Sequence, residues 1–453
     1  MIKVILALAW PTMLEQLLST AVQYIDTAMV GSLGTEATAA VGSTSTVNWL
    51  VGSTVSALGV GFLSSIAKSF GEGDENKARR IAAQAVFTVL IAGTVITAVT
   101  LSVSSAVPVW MKVDESIREL ASTYFFILYL PMIFRTASTI FGTVLRASGD
   151  TASPMKVGIF VNLLNIILNY FLIYETRTVL IGSHSVTLHG AGLGVIGAAV
   201  ASAVAYAIGG IMITVILLRH PRISPIGISL RPDKNILLPC MKITLPNLLQ
   251  RFGTSFGYVV FASMINSIGF VATAAHTVAN TVESAFYIPG YGMQTAAATL
   301  AGNAHGAGDE KEMKLLARMF IPIEIFLMII SGALLFIFAP PLMSIFSDNP
   351  EVIKTGSLVL RMVALSEPFY GFSIIIEGMM MGMGKTKLPF IFNVSCMWLI
   401  RIVGTFVAIK FLAGTLISAW ACMILHNLTL FVIYLAVYRK GLLNISLSAS
   451  EKS

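Results

Sequence analysis

Twelve mostly apolar stretches, near residues 5–30, 44–69, 81–104, 119–144, 156–176, 192–218, 239–265, 277–302, 314–338, 354–381, 389–411 and 414–438, are separated by short polar loops. Each has about the length, roughly 20 residues, that a helix needs to cross the hydrocarbon of a bilayer. Backbone N–H and C=O groups find no water there, so only helices or closed barrels span it, and segments of this length select helices. Composition agrees: 56% of the 453 residues are hydrophobic and 11% charged, too little polar surface to cover a soluble globule of this size. The expected fold class is an all-α integral membrane protein with twelve transmembrane helices. Met1-Ile2-Lys3 leads into apolar sequence longer than a signal-peptide core, so the first stretch is expected to be a retained span.

The formal net charge of +7 comes from basic residues dispersed between apolar stretches, which argues for loop charge and against nucleic acid. Lys77, Arg79, Arg80, Arg146, Lys156, Arg219, Arg222, Arg231, Lys234, Lys311, Lys314, Arg318, Lys385, Lys387, Arg439 and Lys440 fall on the even loops and the tail. The odd loops hold few, so the positive-inside rule places both termini and all even loops in the cytoplasm. Cys240, Cys396 and Cys422 lie in or beside apolar segments without metal-ligand spacing, and the six histidines are dispersed. No disulfide, metal centre, cofactor or enzymatic constellation is expected. The clustered Met379, Met380, Met381 and Met383 read as packing.

A single shift of 235 residues aligns the first half of the chain with the second. Pro11 falls on Pro246, Met29 on Met264, Gly34 on Gly269, and Ala39-Ala40 on Ala274-Ala275. Gly71, Gly73, Asp74 and Glu75 fall on Gly306, Gly308, Asp309 and Glu310, and Gly149, Thr151 and Pro154 on Gly384, Thr386 and Pro389. Six spans per half is an even number, so both halves enter the membrane from the same side. They form parallel six-helix repeats, an arrangement found in secondary transporters. The expected organisation is a lobe at 1–218, a cytoplasmic linker at 219–238, a second lobe at 239–438 and a cytoplasmic tail at 439–453. The shift is expected to hold from end to end.

A charged side chain at membrane depth costs at least ~2.5 kcal/mol on insertion scales, so each one is a functional candidate. Asp26 lies deep in the first span within Gln23-Tyr24-Ile25-Asp26-Thr27, and Glu15 precedes it by about three helical turns. Glu15, Ser19, Gln23 and Asp26 are therefore expected to share one polar face. Asn162, Asn165 and Asn169 share a face of the fifth span; their amides suit either interhelical hydrogen bonding or a cation and its carboxylate. Asp26 would take a proton or, with amide oxygens beside it, sodium. Either species gives it two charge states, as coupled transport requires. Glu283 and Glu324 are open to cation binding or helix packing, whereas Glu367, Glu377, Arg251 and Arg401 are expected to pair with one another.

Asp26-Thr27-Ala28-Met29-Val30-Gly31-Ser32-Leu33-Gly34, the loop Arg146-Ala147-Ser148-Gly149-Asp150-Thr151 with Pro154, and Ala274-Ala275-His276 resemble the multidrug and toxic compound extrusion (MATE) family over essentially the whole chain. Within it the chain is similar to the bacterial branch related to the DNA-damage-inducible F protein. The resemblance implies two six-helix lobes and efflux of organic cations or amphiphiles in exchange for protons or sodium, from a monomer in the cell (inner) membrane. It also implies a first-lobe cation site at Asp26, Asn165, Asn169 and Ser202. Some members carry a second aspartate at the position of Asn169, so this chain would hold one acid there. Sodium-coupled members of another branch place acids where this sequence has Thr254 and Tyr370, which tilts the expectation toward protons. Substrate-cavity candidates are Glu15, Gln23, Tyr24, Asn162, Thr254, Glu283, Glu367 and Tyr370.

Two rival classes fit the residues less well. A lipid-linked precursor flippase of the same superfamily would need more cavity arginines than Arg135, Arg251 and Arg401 to hold pyrophosphate. A major-facilitator-type transporter would need a multiple-arginine loop after span 2, where this chain has Phe70-Gly71-Glu72-Gly73-Asp74-Glu75.

Overall fold

A computed structural model describes residues 1–181, 184–412 and 414–441 of the chain. Residues 442–453, most of the expected tail, lie outside the described residues. The first half runs α1 (Ile2–Gly31), α2 (Thr35–Gly71), α3 (Glu75–Ser102), a short α4 (Ala106–Trp110), α5 (Glu115–Tyr129), α6 (Met132–Ala147) and α7 (Ala152–Ile173). A hairpin of β1 (Glu175–Ile181) and β2 (His184–Ala191) comes next, then α8 (Gly194–Arg219). The second half runs α9 (Lys234–Asn266), α10 (Phe270–Ala307), α11 (Glu310–Ser344), α12 (Pro350–Ala364), α13 (Glu367–Gly382), α14 (Lys387–Ser395), a π-helical segment Cys396–Ile402, α15 (Val403–Phe411) and α16 (Leu416–Arg439).

Two expected spans are broken helices: α5 and α6 meet at 49°, α12 and α13 at 53°. Proline explains both breaks, because it lacks the N–H of the helical ladder and crowds the carbonyl a turn earlier. Pro131 lies in the first break, and Pro368 sits in the first turn of α13. With each bent pair, and α14 to α15, taken as one span, the described residues form twelve membrane-length segments in the expected order. Eight are long and apolar enough to cross on composition alone, and ten when the bent pairs are included. The other two, α9 and α10, carry Lys242, Gln250 and Arg251, and Asn280, Glu283 and Gln294. They stand at the repeat positions of α1 and α2.

The duplication is visible in the backbone. The shift that aligns the halves carries the ends of α5 onto those of α12, and of α6 onto those of α13. Gly34 and Gly269 turn the chain at φ of 115° and 140°, and Gly73 and Gly308 at 74° and 69°, conformations that favour glycine. One expectation is corrected: the shift ends after the fifth span. In the first half the hairpin Glu175–Ala191 stands before α8, whereas in the second the chain passes from Phe411 to Leu416 with no such insertion.

Packing divides the chain into two compact units that cut across the helices. One comprises Leu17–Phe62 and Glu75–Leu237; the other comprises Met1–Gln16, Leu63–Asp74 and the chain from Leu238 onward. Residues 219–237 of the expected linker belong to the first unit, where Arg222 meets Glu75 at 2.7 Å, Arg80 meets Asp233 at 2.9 Å, and Gln84 Nε2 donates to the Arg231 carbonyl at 2.8 Å. The second unit is built on a core that includes Ile5, Met293, Phe320, Met379, Met380 and Tyr434.

Within the second unit the end of α2 crosses the end of α10 about a local two-fold axis. Gly71 lies against the Asn303 carbonyl and Gly306 against the Lys68 carbonyl, each contact being the other's counterpart under the repeat. Ala67 and Gly302, themselves counterparts, meet on that axis: a Cβ added to Gly302 would stand 2.6 Å from the Ala67 Cβ. Two methyl groups do not fit, so one copy is glycine. Gly302→Ala should therefore cost about 1–3 kcal/mol by overpacking. Adding Ala67→Gly should recover most of that loss. Thermal unfolding of the detergent-solubilised single and double variants checks this, and strictly additive losses would contradict the shared axis.

Candidate functional site

Asp26 on α1, Asn165 and Asn169 one turn apart on α7, and Ser202 on α8 come together inside the first unit. Asn169 Nδ2 donates to Asp26 Oδ1 at 2.7 Å, and Asn165 and Ser202 are 3.1 Å apart between their polar atoms. The Asn165 amide has two ways to sit. In one it accepts from Asn169 Nδ2 at 3.3 Å and donates to Ser202 Oγ. Turned end for end, its nitrogen donates to both Asp26 oxygens, at 2.9 and 3.0 Å, and its oxygen accepts from Ser202. The second arrangement gives the carboxylate three amide donor contacts and fits the chemistry of the groups better, since charge-assisted hydrogen bonds are the stronger kind.

Asn165 and Asn169 are 6% and 1% exposed, while Asp26 is half-buried, so the carboxylate keeps an open side. Among the described residues no Lys, Arg or His forms an ion pair with it. Asn169 Oδ1 is buried without a donor. The site thus offers one carboxylate, amide and hydroxyl oxygens, and no fixed positive charge. Tyr124, buried on α5, lies within electrostatic reach of Asp26 and bears no mark in the sequence that would have singled it out.

The remaining candidates separate by unit. Gln23 is exposed, Tyr24 partly exposed, and Asn162 half-buried on the turn before Asn165, outside this hydrogen-bond set. Glu15 belongs to the second unit, so the shared face with Asp26 does not place the two carboxylates in one cluster. In that second unit Thr254 bonds back to the Gln250 carbonyl of its own helix at 2.8 Å, and the Tyr370 and Tyr291 hydroxyls meet at 2.9 Å. Glu283 and Glu367 are 6% and 2% exposed.

The expected pairing of acids with arginines is corrected in detail. Glu377 accepts from Gln250 Nε2 at 2.7 Å, and Arg251 donates to Asn247 Oδ1 at 3.2 Å while facing Glu377 only electrostatically. Arg401 stacks its guanidinium on Phe261 at 4.1 Å and Tyr258 at 4.8 Å. Aromatic faces attract guanidinium through their quadrupole, and they flank it here where a carboxylate was expected.

A protein-family model described as MatE matches residues 11–171 and again 246–407, the second match beginning one repeat shift after the first. The chain is 26% identical over 422 residues to a probable multidrug resistance protein NorM of Thermotoga maritima, covering 93% of this chain and 89% of that protein. It is 24% identical to the multidrug resistance protein MdtK of Yersinia pseudotuberculosis, covering 87% and 85%. In three dimensions it resembles a MATE protein solved in complex with MaD3S, with a TM-score of 0.88, 22% identity, and coverage of 100% and 97%. An outward-facing multidrug resistance MATE family transporter matches at a TM-score of 0.89, with the same identity and coverage.

The amide grip on Asp26 makes a quantitative expectation. Asn169→Leu should lower thermal stability by about 1.5–3 kcal/mol, the worth of a hydrogen bond to a charged group. In an Asp26→Asn background the same change should cost clearly less, and equal costs in the two backgrounds would show that the pair is not coupled.

Proposed function

The chain belongs to the MATE family, and from that premise we propose that it is a secondary active multidrug efflux transporter, exporting organic cations or amphiphiles by alternating access in exchange for protons or sodium bound around Asp26. The observation that carries this reading is a carboxylate within the first span, held by amides and, among the described residues, paired with no cationic side chain. Its charge is left for a mobile cation to balance. The loaded and unloaded forms differ by one unit of charge, and a ligand with unequal affinity for two conformations shifts the balance between them. Asn165, Asn169 and Ser202 offer donors to the empty carboxylate and oxygens to a metal cation. Thr254 and Tyr370, where a sodium site of the second lobe would need acids, favour protons.

The relatives that carry the words multidrug resistance support an organic, chemically varied cargo. Gln23, Tyr24 and Asn162 in the first unit, and Glu15, Thr254, Glu283, Glu367 and Tyr370 in the second, are the candidate contacts for it. The basic even loops support an orientation with both termini in the cytoplasm, in the inner membrane of a bacterial cell, and the protein is read as a monomer.

Expression in a drug-sensitive host should lower accumulation of a fluorescent organic cation. Asp26→Asn should abolish that effect at unchanged protein level; full activity of the variant would remove Asp26 from the mechanism. Proteoliposomes given a proton gradient or a sodium gradient separately should export with the proton gradient, and export driven by sodium alone would reverse the choice of ion.

A further inference from the structure

Inside the first unit Asp26 has a counterpart of opposite sign that exchange around Asp26 does not use. Arg135 stands in the first turn of α6, just past the break at Pro131 that divides the fourth span. A charge within a span is costly. A carboxyl group can shed that charge by taking a proton, but a guanidinium keeps its charge in any protein environment. Something must therefore meet it.

The surroundings meet it only in part. The guanidinium carbon lies 4.9 Å from the ring centre of Tyr206 on α8. Tyr129, at the end of α5, is 0% exposed; its hydroxyl stands near the guanidinium but has no hydrogen bond of normal geometry. A ring face attracts a guanidinium and accepts none of its five N–H donors. Among the described residues the Arg135 side chain forms no ion pair and finds no acceptor in hydrogen-bonding geometry. Asp26 and Arg135 both act electrostatically on the buried Tyr124 of α5, yet they do not pair with each other.

The repeat shows how room is made beside this charge. Arg135 corresponds to Tyr370, and Gly52 of α2 to Tyr287. In the second half the two tyrosine rings meet edge to face, 5.9 Å apart between centres. In the first half the same positions pair a guanidinium with a glycine. A Cβ added to Gly52 would meet, among the described residues, only Arg135 Nη2, at 3.5 Å. The volume that a tyrosine ring takes in the second half is thus left free against the charged end of Arg135, which is itself only half-buried. A permanent positive charge, donors without acceptors, an orphaned buried hydroxyl and an open side suit an anionic group, and the planar fork of the guanidinium matches a carboxylate.

We propose that Arg135 binds a carboxylate of the cargo, so that the first unit accepts aromatic amphiphiles carrying an anionic group together with their positive one. An exporter of purely cationic molecules gains nothing from a guanidinium in this place. Asp26 and Arg135 remain separate charges, and a zwitterionic molecule offers a partner to each. That this ligand is cargo rests on the transport reading; that it binds does not.

Fluorescence polarisation tests this on the purified full-length protein in lipid nanodiscs, with tetramethylrhodamine, which has a carboxylate and a delocalised cation, and its methyl ester, which has the cation alone. The wild type should bind the acid about tenfold more tightly than the ester, the worth of a hydrogen bond to a charged group. Arg135→Gln should remove that preference by weakening binding of the acid. Arg135→Lys keeps the charge without the fork and should retain part of the preference. Gly52→Leu, which fills the space and leaves the guanidinium in place, should weaken binding of the acid even if the glutamine variant fails to fold. A wild type without preference for the acid, or an Arg135→Gln that weakens both dyes equally, would overturn the site. A preference that persists in protein unable to export either dye from proteoliposomes would refute the transport reading and leave the site standing.

Discussion

Hydrocarbon offers no water to a charge, and the arrangement of this molecule depends on how each buried charge is met. Asp26 is met by amides, which supply hydrogen bonds and no countercharge. Arg401 is met by aromatic faces, which supply attraction and no hydrogen-bond acceptor. Neither solution is complete, since a close ion pair with its remaining polar atoms satisfied would be the more stable way to bury either group. An Asp26 balanced permanently by a lysine would have no use for a mobile cation. The incomplete solution leaves the carboxylate without a fixed countercharge among the described residues.

The duplication supplies the scaffold on which these solutions are placed. Its trace is strongest where geometry leaves few choices: the turns at Gly34 and Gly269, the breaks between α5 and α6 and between α12 and α13, and the crossing of Ala67 and Gly302. At the crossing, symmetry itself forces a difference, because two equivalent residues meeting on an axis compete for the same volume. Elsewhere the halves were free to diverge. The sixth span shows it, since a hairpin before α8 has no counterpart before α16.

The spans, their pairing and the group around Asp26 were legible because each depends on a short-range rule. Apolar length gives a span, a constant shift gives a repeat, and Asn165 and Asn169 at helical spacing give one face. Ser202 came only from family resemblance, since a serine among small residues of an apolar helix has nothing to distinguish it. What was not legible has a different cause. Glu15 and Asp26 lie on one helix, but face spacing does not say that α1 passes from one compact unit to the other between them. Arg401 was expected beside an acid because charge pairing ignores direction, and its direction is set by a π-helical segment that the pattern of residues does not announce.

The counterparts of the group around Asp26 make the divergence concrete. Asp26 corresponds to Phe261, Asn165 to Ile400 and Asn169 to Gly404, so neither the acid nor its amides survive in the second half. The same pair of helical elements still meets there: where α7 brings Asn169 to Asp26, the π-helical segment brings Arg401 to Phe261. A π turn carries an extra residue relative to an α turn, which rotates the side chains beyond it about the helix axis and is often tied to function. Arg401, the neighbour of Ile400, lies within that segment and stacks on the ring that replaces Asp26. One half therefore holds an acid at this position, and the other holds a guanidinium beside it. Duplication provided two equivalent places, and the two halves fill them with chemically opposite groups.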